Sequence, residues 1–251
     1  MTRFHDKVAV VTGGGGGIGS AICRRLAEEG AAIVVVDRDE ASAMTVKSDI
    51  EASGGRAVVM VADIADEAAC RRLVDNVMER CGRLDVLVNN AGINRRGDIS
   101  EVSTADWHLS FDVNIHSMFY LCRAAVPHMQ RAGRGVIVNT ASQWGLYPAP
   151  GHIAYNVTKA AVVAFSKSLA RDLACHNIRV NAVCPGEIHT PMLATGLEKA
   201  GKTVRDLDRL VPFGRIGTPE EVAALVAFLG YDEAPFLCGS AVEITGAQAV
   251  S

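Results

Sequence analysis

The stretch VAVVTGGGGGIGSAICRRLAEEG, Val8 to Gly30, decides the fold. A short apolar run, Val8 to Val11, passes directly into a tract of glycines. Behind it, Ile18, Ile22 and Leu26 recur at helical spacing. The pattern predicts a strand over Val8 to Val11, a helix over Ile18 to Glu29, and a stop at Gly30. Glycines between a strand and a helix let backbone N–H groups converge on an anion at the helix N-terminus.

Outward from this unit the same alternation repeats. Strands are expected at Ala32 to Val36, Ala57 to Val61, Val86 to Val88, Gly135 to Asn139, Arg179 to Val183 and Ala241 to Ile244. Helical spacing covers Glu67 to Cys81, Trp107 to Gln130 and Tyr155 to Ala174, and a further helix starts near Thr218. Strands that are apolar throughout are buried on both faces, so helices must cover both sides of a parallel sheet. This is an α/β chain with the doubly wound parallel sheet of a Rossmann fold. No linker or repeat splits it, so residues 1–251 read as a single dinucleotide-binding and catalytic domain. The least regular connection, Glu187 to Val211, reads as a substrate lid at about 187–211.

Composition excludes several function classes. Hydrophobic residues make up 49% and charged residues 21%, and the net charge is −3. Neither a nucleic-acid partner nor an anionic membrane is expected from that balance. Seven cysteines occur without a CxxC pair, which reads as reduced thiols. No apolar run is long enough to span a bilayer, and MTRFHDKVAVVTGG has no signal-peptide pattern. A cytoplasmic location is the expectation. The histidines and cysteines show no metal-ligand spacing, so no metal is expected.

The glycine tract fits two frames, Gly14-x-Gly16-x-x-Gly19 and Gly13-x-x-x-Gly17-x-Gly19. Asp37 ends the second strand, where a carboxylate accepts hydrogen bonds from adenosine ribose hydroxyls and repels a 2′-phosphate. Arg38 follows and could receive that phosphate instead. Two like charges about 4 Å apart cost about 4 kcal/mol at an effective dielectric near 20, which weights the reading toward NAD. Asp63 ends the third strand and Asn89-Asn90-Ala91-Gly92 the fourth, so polar strand ends gather on one rim.

Tyr155 and Lys159 lie at i and i+4, on one helix face, and Ser142 follows the strand ending at Asn139. A phenol near pKa 10 is a poor base at neutral pH, and an ammonium about 4 Å away would lower it by about three units. Alone, such a pair is usually a structural surface pair.

With the other motifs, the sequence resembles the short-chain dehydrogenase/reductase family over almost its whole length. The matching pieces are Thr12 to Gly19, Asp63, Asn89 to Gly92, Asn114, Ser142, Tyr155-x-x-x-Lys159, Pro185-Gly186 and Thr190-Pro191-Met192. Gly214-Arg215-x-Gly-x-Pro-Glu-Glu-Val-Ala completes the set. The resemblance implies an NAD-dependent alcohol dehydrogenase/ketone reductase. Tyr155 would exchange a proton with the substrate oxygen, and Ser142 would hold that oxygen. Lys159 would lower the tyrosine pKa and bind the nicotinamide ribose, and Asn114 would hold a water linking Lys159 to solvent. The implied cofactor residues are Gly13, Gly17, Ile18, Gly19, Asp37, Asp63, Ile64, Asn90, Ala91, Gly92, Tyr155, Lys159, Pro185, Gly186, Ile188 and Thr190. A homotetramer built on the helices holding Asn114 and Tyr155 is also implied. Two departures stand out. Thr245-Gly246-Ala247 replaces the Asp-Gly-Gly common near the family's end, and the glycine loop lacks the basic residue frequent in NADP users.

The family builds its substrate pocket from positions that here carry Asn94, Arg95, Arg96, Gln143, Trp144, His152, Glu187 and His189. That set suits a small, polar, polyhydroxylated alcohol or ketone, with Arg95 or a histidine available for an acidic group. The competing expectations are that the arginines point to solvent, that the chain is a 3-oxoacyl-[acyl-carrier-protein] reductase, or that it is a catalytically silent dinucleotide-binding protein.

Overall fold

The first strand, β1 (Val8–Thr12), is buried along its whole length in the computed structural model, which describes residues 2–199 and 201–248. Val8 and Val10 pack into one apolar layer and Ala9 and Val11 into the other, which is why both faces need helices. The glycine tract then opens α1 (Gly17–Glu28), and β2 (Ala32–Asp37) returns parallel to β1. The order continues α2 (Glu40–Ala52), β3 (Arg56–Val61), α3 (Glu67–Cys81) and β4 (Val86–Asn89). After these come α4 (Thr104–Phe111), α5 (Ser117–Ala132), β5 (Gly135–Thr140) and α6 (Ile153–Leu173). The chain ends through β6 (Ile178–Pro185), α7 (Pro191–Lys199), α8 (Val204–Asp208), α9 (Pro219–Gly230) and β7 (Ala241–Ile244).

The sheet is seven-stranded and parallel in the order β3-β2-β1-β4-β5-β6-β7. Helices α3, α5 and α6 contribute to one core layer and α1, α2 and α9 to the other. The order reverses between β1 and β4, and this switch point opens a crevice at the carboxyl ends of the strands.

Three expectations need correction. The stretch Trp107 to Gln130 is not one regular helix: it starts at Thr104, capped by Ser103, and passes through a wider π-helical turn at Asp112–His116 before α5. Asn114 lies in that turn, where an extra residue re-aims a side chain. The segment Glu187 to Val211 is not irregular either, since it carries α7 and α8. Helix α2 was not expected at all, although Asp39 caps it and Ala43, Val46 and Ile50 bury its inner face. Helix α9 begins where expected, at a reciprocal cap in which the Glu221 carboxylate accepts the Thr218 N–H. None of the described helices is long and apolar enough to cross a membrane.

Candidate active site

The glycine loop is a tight cradle. Gly13 and Gly17 have φ values of +62° and +53°, the left-handed region that favours glycine. A Cβ on Gly19 would lie 2.0 Å from the Gly13 carbonyl oxygen, so the start of α1 packs directly on the loop. A Cβ on Gly16, by contrast, would meet nothing within 4 Å, and no side chain caps α1 at that residue. Uncapped N–H groups beside open space suit the pyrophosphate of a dinucleotide.

The loop is pinned from β4. The Thr12 hydroxyl accepts the Asn90 and Ala91 N–H groups at 3.0 and 3.1 Å, and Asn90 Nδ2 donates to the Thr12 carbonyl at 3.0 Å. Asp37 Oδ2 accepts the Gly15 N–H at 2.9 Å, which fixes the carboxylate at the end of β2 against the loop. Arg38 is exposed and lines the large cavity described below. Asp63 is exposed and Oδ1 accepts the Ala65 N–H, while Ile64 is buried.

Ser142, two residues past β5, opens the short turn Gln143–Gly145 in an extended conformation, and its hydroxyl accepts the Trp144 N–H at 3.1 Å. Both it and the Tyr155 phenol line the same cavity. Burial pushes that phenol up to about 12, the neighbouring Ser142 hydroxyl opposes the rise, and the charge of Glu187 adds to it. Lys159, one turn further along α6, is only 3% exposed, and burial lowers its ammonium to about 8. Its Nζ donates to the Thr140 carbonyl at 2.7 Å and lies 5.6 Å from the centre of the Tyr155 ring. The expected lowering of the phenol by the lysine is therefore not the controlling effect among these protein groups; desolvation is.

Asn114 is buried, and its side-chain partners are protein groups. Oδ1 accepts the Ile93 N–H at 2.8 Å, and Nδ2 donates to the Ile93 carbonyl and to Thr158 Oγ1. Gly92 fits between Asn114 and Lys159, since a Cβ there would be 3.3 Å from each side chain.

Ser142 and Tyr155 face a cavity of about 750 Å³ at the carboxyl end of the sheet. Its lining includes Ile18, Ser142, Tyr155, Pro185, Gly186, Ile188 and Thr190. Asn94, Arg95, Arg96, Gln143, Trp144 and Glu187 also face it, with Met192 and Leu193 from α7. Trp144 stands edge-on to Tyr155 with ring centres 5.9 Å apart and lies 4.5 Å from His152. His152 Nδ1 is 3.1 Å from Asn94 Oδ1, a pair that needs the proton on Nδ1 because the amide oxygen can only accept. Burial, then the charge of Arg96, holds that imidazole below its usual range.

Three pocket expectations change. His189 does not line the cavity: it is exposed, and its N–H donates to the Gly217 carbonyl at 2.9 Å. Arg95 reaches the cavity wall but is ion-paired with Asp106 at 3.2 Å. Neither arginine points simply to solvent, because the Arg96 guanidinium packs over α7, where a Cβ on Gly196 would come within 2.5 Å of it. Sequence reading missed the partners Thr140, Thr158 and Asp106. Their roles depend on contacts between distant segments, and no local pattern marks them.

A parallel sheet with a glycine cradle at its switch point, opening on a cavity lined by serine and tyrosine with a buried lysine one turn behind, defines a dinucleotide-binding α/β protein. A family model described as short chain dehydrogenase matches residues 7–201. The chain belongs to this family of nicotinamide-dinucleotide-binding oxidoreductases. It is 40% identical over 246 residues to a cyclopentanol dehydrogenase of Comamonas sp., covering 98% of both chains. It is also 38% identical over 244 residues to a 3-oxoacyl-[acyl-carrier-protein] reductase of Thermotoga maritima, covering 97% of this chain and 98% of the other. Among solved structures, a 3-ketoacyl-(acyl-carrier-protein) reductase from Brucella melitensis complexed with NADH superposes with a TM-score of 0.90 at 33% identity. That match covers 98% of this chain and 99% of the other. Among the described residues no cluster of His, Cys, Asp and Glu has the make-up of a metal site.

Proposed function

We propose that the protein interconverts a secondary alcohol and a ketone with NAD, using Tyr155 as the general acid and base. The observation that carries this reading is that Ser142 and Tyr155 line the same cavity, with Lys159 buried one turn behind and fixed by the Thr140 carbonyl. NAD, when bound, would supply the hydride acceptor for the alcohol carbon or, as NADH, the hydride donor for the ketone. Ser142 holds the reacting oxygen, and the Tyr155 hydroxyl donates a proton to it in reduction and takes it back in oxidation. Lys159 stays on the cavity side of α6 through Thr140, where its ammonium favours the phenolate. Asn114 holds the loop at Ile93 and, with Lys159, orders the exit for the proton.

Gly13, Gly17, Ile18 and Gly19 would carry the pyrophosphate on their backbone, Asp37 the adenosine ribose, and Asp63 with Ile64 the adenine. Asn90, Ala91 and Gly92 close the floor beneath the nicotinamide half, and Pro185, Gly186, Ile188 and Thr190 flank its ring. The segment at about 187–211 serves as the lid, and a homotetramer is the expected assembly.

The substrate expected from the lining is small and polar. Screening NAD⁺ reduction against diols, polyols, sugar acids and hydrophobic alcohols tests this. A wide margin in favour of 1-phenylethanol would overturn it. A second reading, reduction of a 3-oxoacyl thioester, draws on the identity to the Thermotoga maritima protein. Faster NADPH-linked reduction of an acetoacetyl thioester than of any free ketone would replace the first reading with this one.

Cofactor choice is assigned to Asp37. Asp37→Asn keeps an acceptor for the Gly15 N–H but removes the charge, so the NAD-over-NADP preference in kcat/KM should narrow by about tenfold or more. An unchanged ratio would assign the choice to Arg38.

A further inference from the structure

Two hydrogen-bond acceptors on the cavity wall are served by no described residue. Gln143 is 3% exposed, and its Oε1 is buried without a partner beside Gly186, where a Cβ would lie 3.1 Å from it. Next along the chain, Glu187 lines the same cavity, and its carboxylate forms neither a hydrogen bond nor an ion pair with a described residue.

The backbone that carries Glu187 is fixed on both sides. The Gly186 N–H donates to the Ile244 carbonyl at 3.0 Å, and the Glu187 carbonyl accepts the Gly217 N–H at 2.9 Å. Burial raises the carboxyl above its usual range, Arg96 only partly opposes this, and the Glu187 charge in turn acts on the Tyr155 phenol. The carboxylate lines the cavity without a donor among the described residues, so a donor that enters with the substrate has reason to pair with it.

The chemistry of that group follows from the neighbours. Arg95 is committed to Asp106, and His152 to Asn94, so neither is free to hold an acid. Glu187 itself repels an anion. Arg96 already places positive charge near both Glu187 and His152, which disfavours a second cation. A neutral hydroxyl remains.

We propose that Glu187 accepts a hydrogen bond from a second hydroxyl of the substrate, on the carbon next to the one whose oxygen lies between Ser142 and Tyr155. The enzyme then selects vicinal diols and α-hydroxy ketones over simple secondary alcohols. This rests on the alcohol–ketone reading above.

The test compares kcat/KM for meso-2,3-butanediol, 2-butanol and 1-amino-2-propanol in the wild-type protein, Glu187→Gln and Glu187→Ala. The wild-type diol-to-2-butanol ratio is expected to be about tenfold or more, because a site built for a hydroxyl penalises its absence. Glu187→Ala should cut that ratio by about 10- to 100-fold, and Glu187→Gln, which keeps a neutral acceptor, by less. A wild-type ratio near one, or variants that lose both activities by the same factor, overturns the assignment to Glu187 while leaving the alcohol–ketone reading intact. Preference for the amino alcohol overturns the choice of a hydroxyl. Failure of the wild-type protein to oxidise any of the three, or any alcohol of the wider panel, overturns the alcohol–ketone reading and this inference with it.

Discussion

Tyr155→Phe is expected to lower kcat by about 10²–10⁴-fold, the usual contribution of a general acid–base group. NADH affinity should stay within about threefold of the wild type, since the phenolic proton matters only in the chemical step. Phenylalanine keeps the ring that stands edge-on to Trp144 and fills the same space on α6. What it removes is the phenolic hydroxyl proposed to exchange a proton with the substrate oxygen. Steady-state rates with the best substrate of the panel, alongside fluorescence titration with NADH, measure both quantities. Retention of more than a tenth of wild-type turnover would remove Tyr155 from the chemistry. A large loss of NADH affinity would make it a structural residue.

Gly19→Ala should have the largest effect on nucleotide binding. The added Cβ would meet the Gly13 carbonyl oxygen at 2.0 Å and Asn90 Nδ2 at 2.7 Å. Neither neighbour gives way easily. Gly13 is backbone in the left-handed region, and Asn90 is tied to the Thr12 carbonyl. Overpacking of this kind costs about 1–3 kcal/mol, which in a chain of this length lowers Tm by about 2–10 °C. The cradle must also open, so NADH affinity should fall by about 30-fold or more.

Gly16→Ala separates the two effects. Its backbone is extended, at φ −160°, and its Cβ meets nothing within 4 Å, so Tm should hold within about 2 °C. Loss of NADH affinity at unchanged Tm would mark that open space as the pyrophosphate position. NADH affinity within twofold of the wild type for Gly19→Ala would reject the cradle.

Much of the site was legible because its residues act through short-range geometry. A strand, a glycine tract and a helix in succession leave few other structures, and i,i+4 spacing alone puts Tyr155 and Lys159 on one face of α6. The glycine frame, open in the sequence, is resolved by backbone angles. Gly13 and Gly17 take positive φ, Gly14 and Gly16 do not, and Gly19 touches Gly13. Helix α2 escaped notice because Ala43, Val46 and Ile50 are a weak apolar stripe in a segment rich in polar residues.

The sequence by itself determined the doubly wound parallel sheet and the succession of its seven strands. Continuous apolar strands alternating with amphipathic helices have to be buried on both faces. It also placed the rim where Asp37, Asn90, Ser142 and Tyr155 gather, since strand ends in a parallel sheet share one edge. Only the tertiary structure decided which polar side chains remain available for a substrate. Asp106 takes Arg95, Asn94 takes His152, and Gly217 turns the backbone of His189 outward, whereas Glu187 is left on the cavity wall without a donor among the described residues. Each of these outcomes depends on a partner distant in the chain, and on desolvation that exists only once the helices close over the sheet. A local pattern can carry neither.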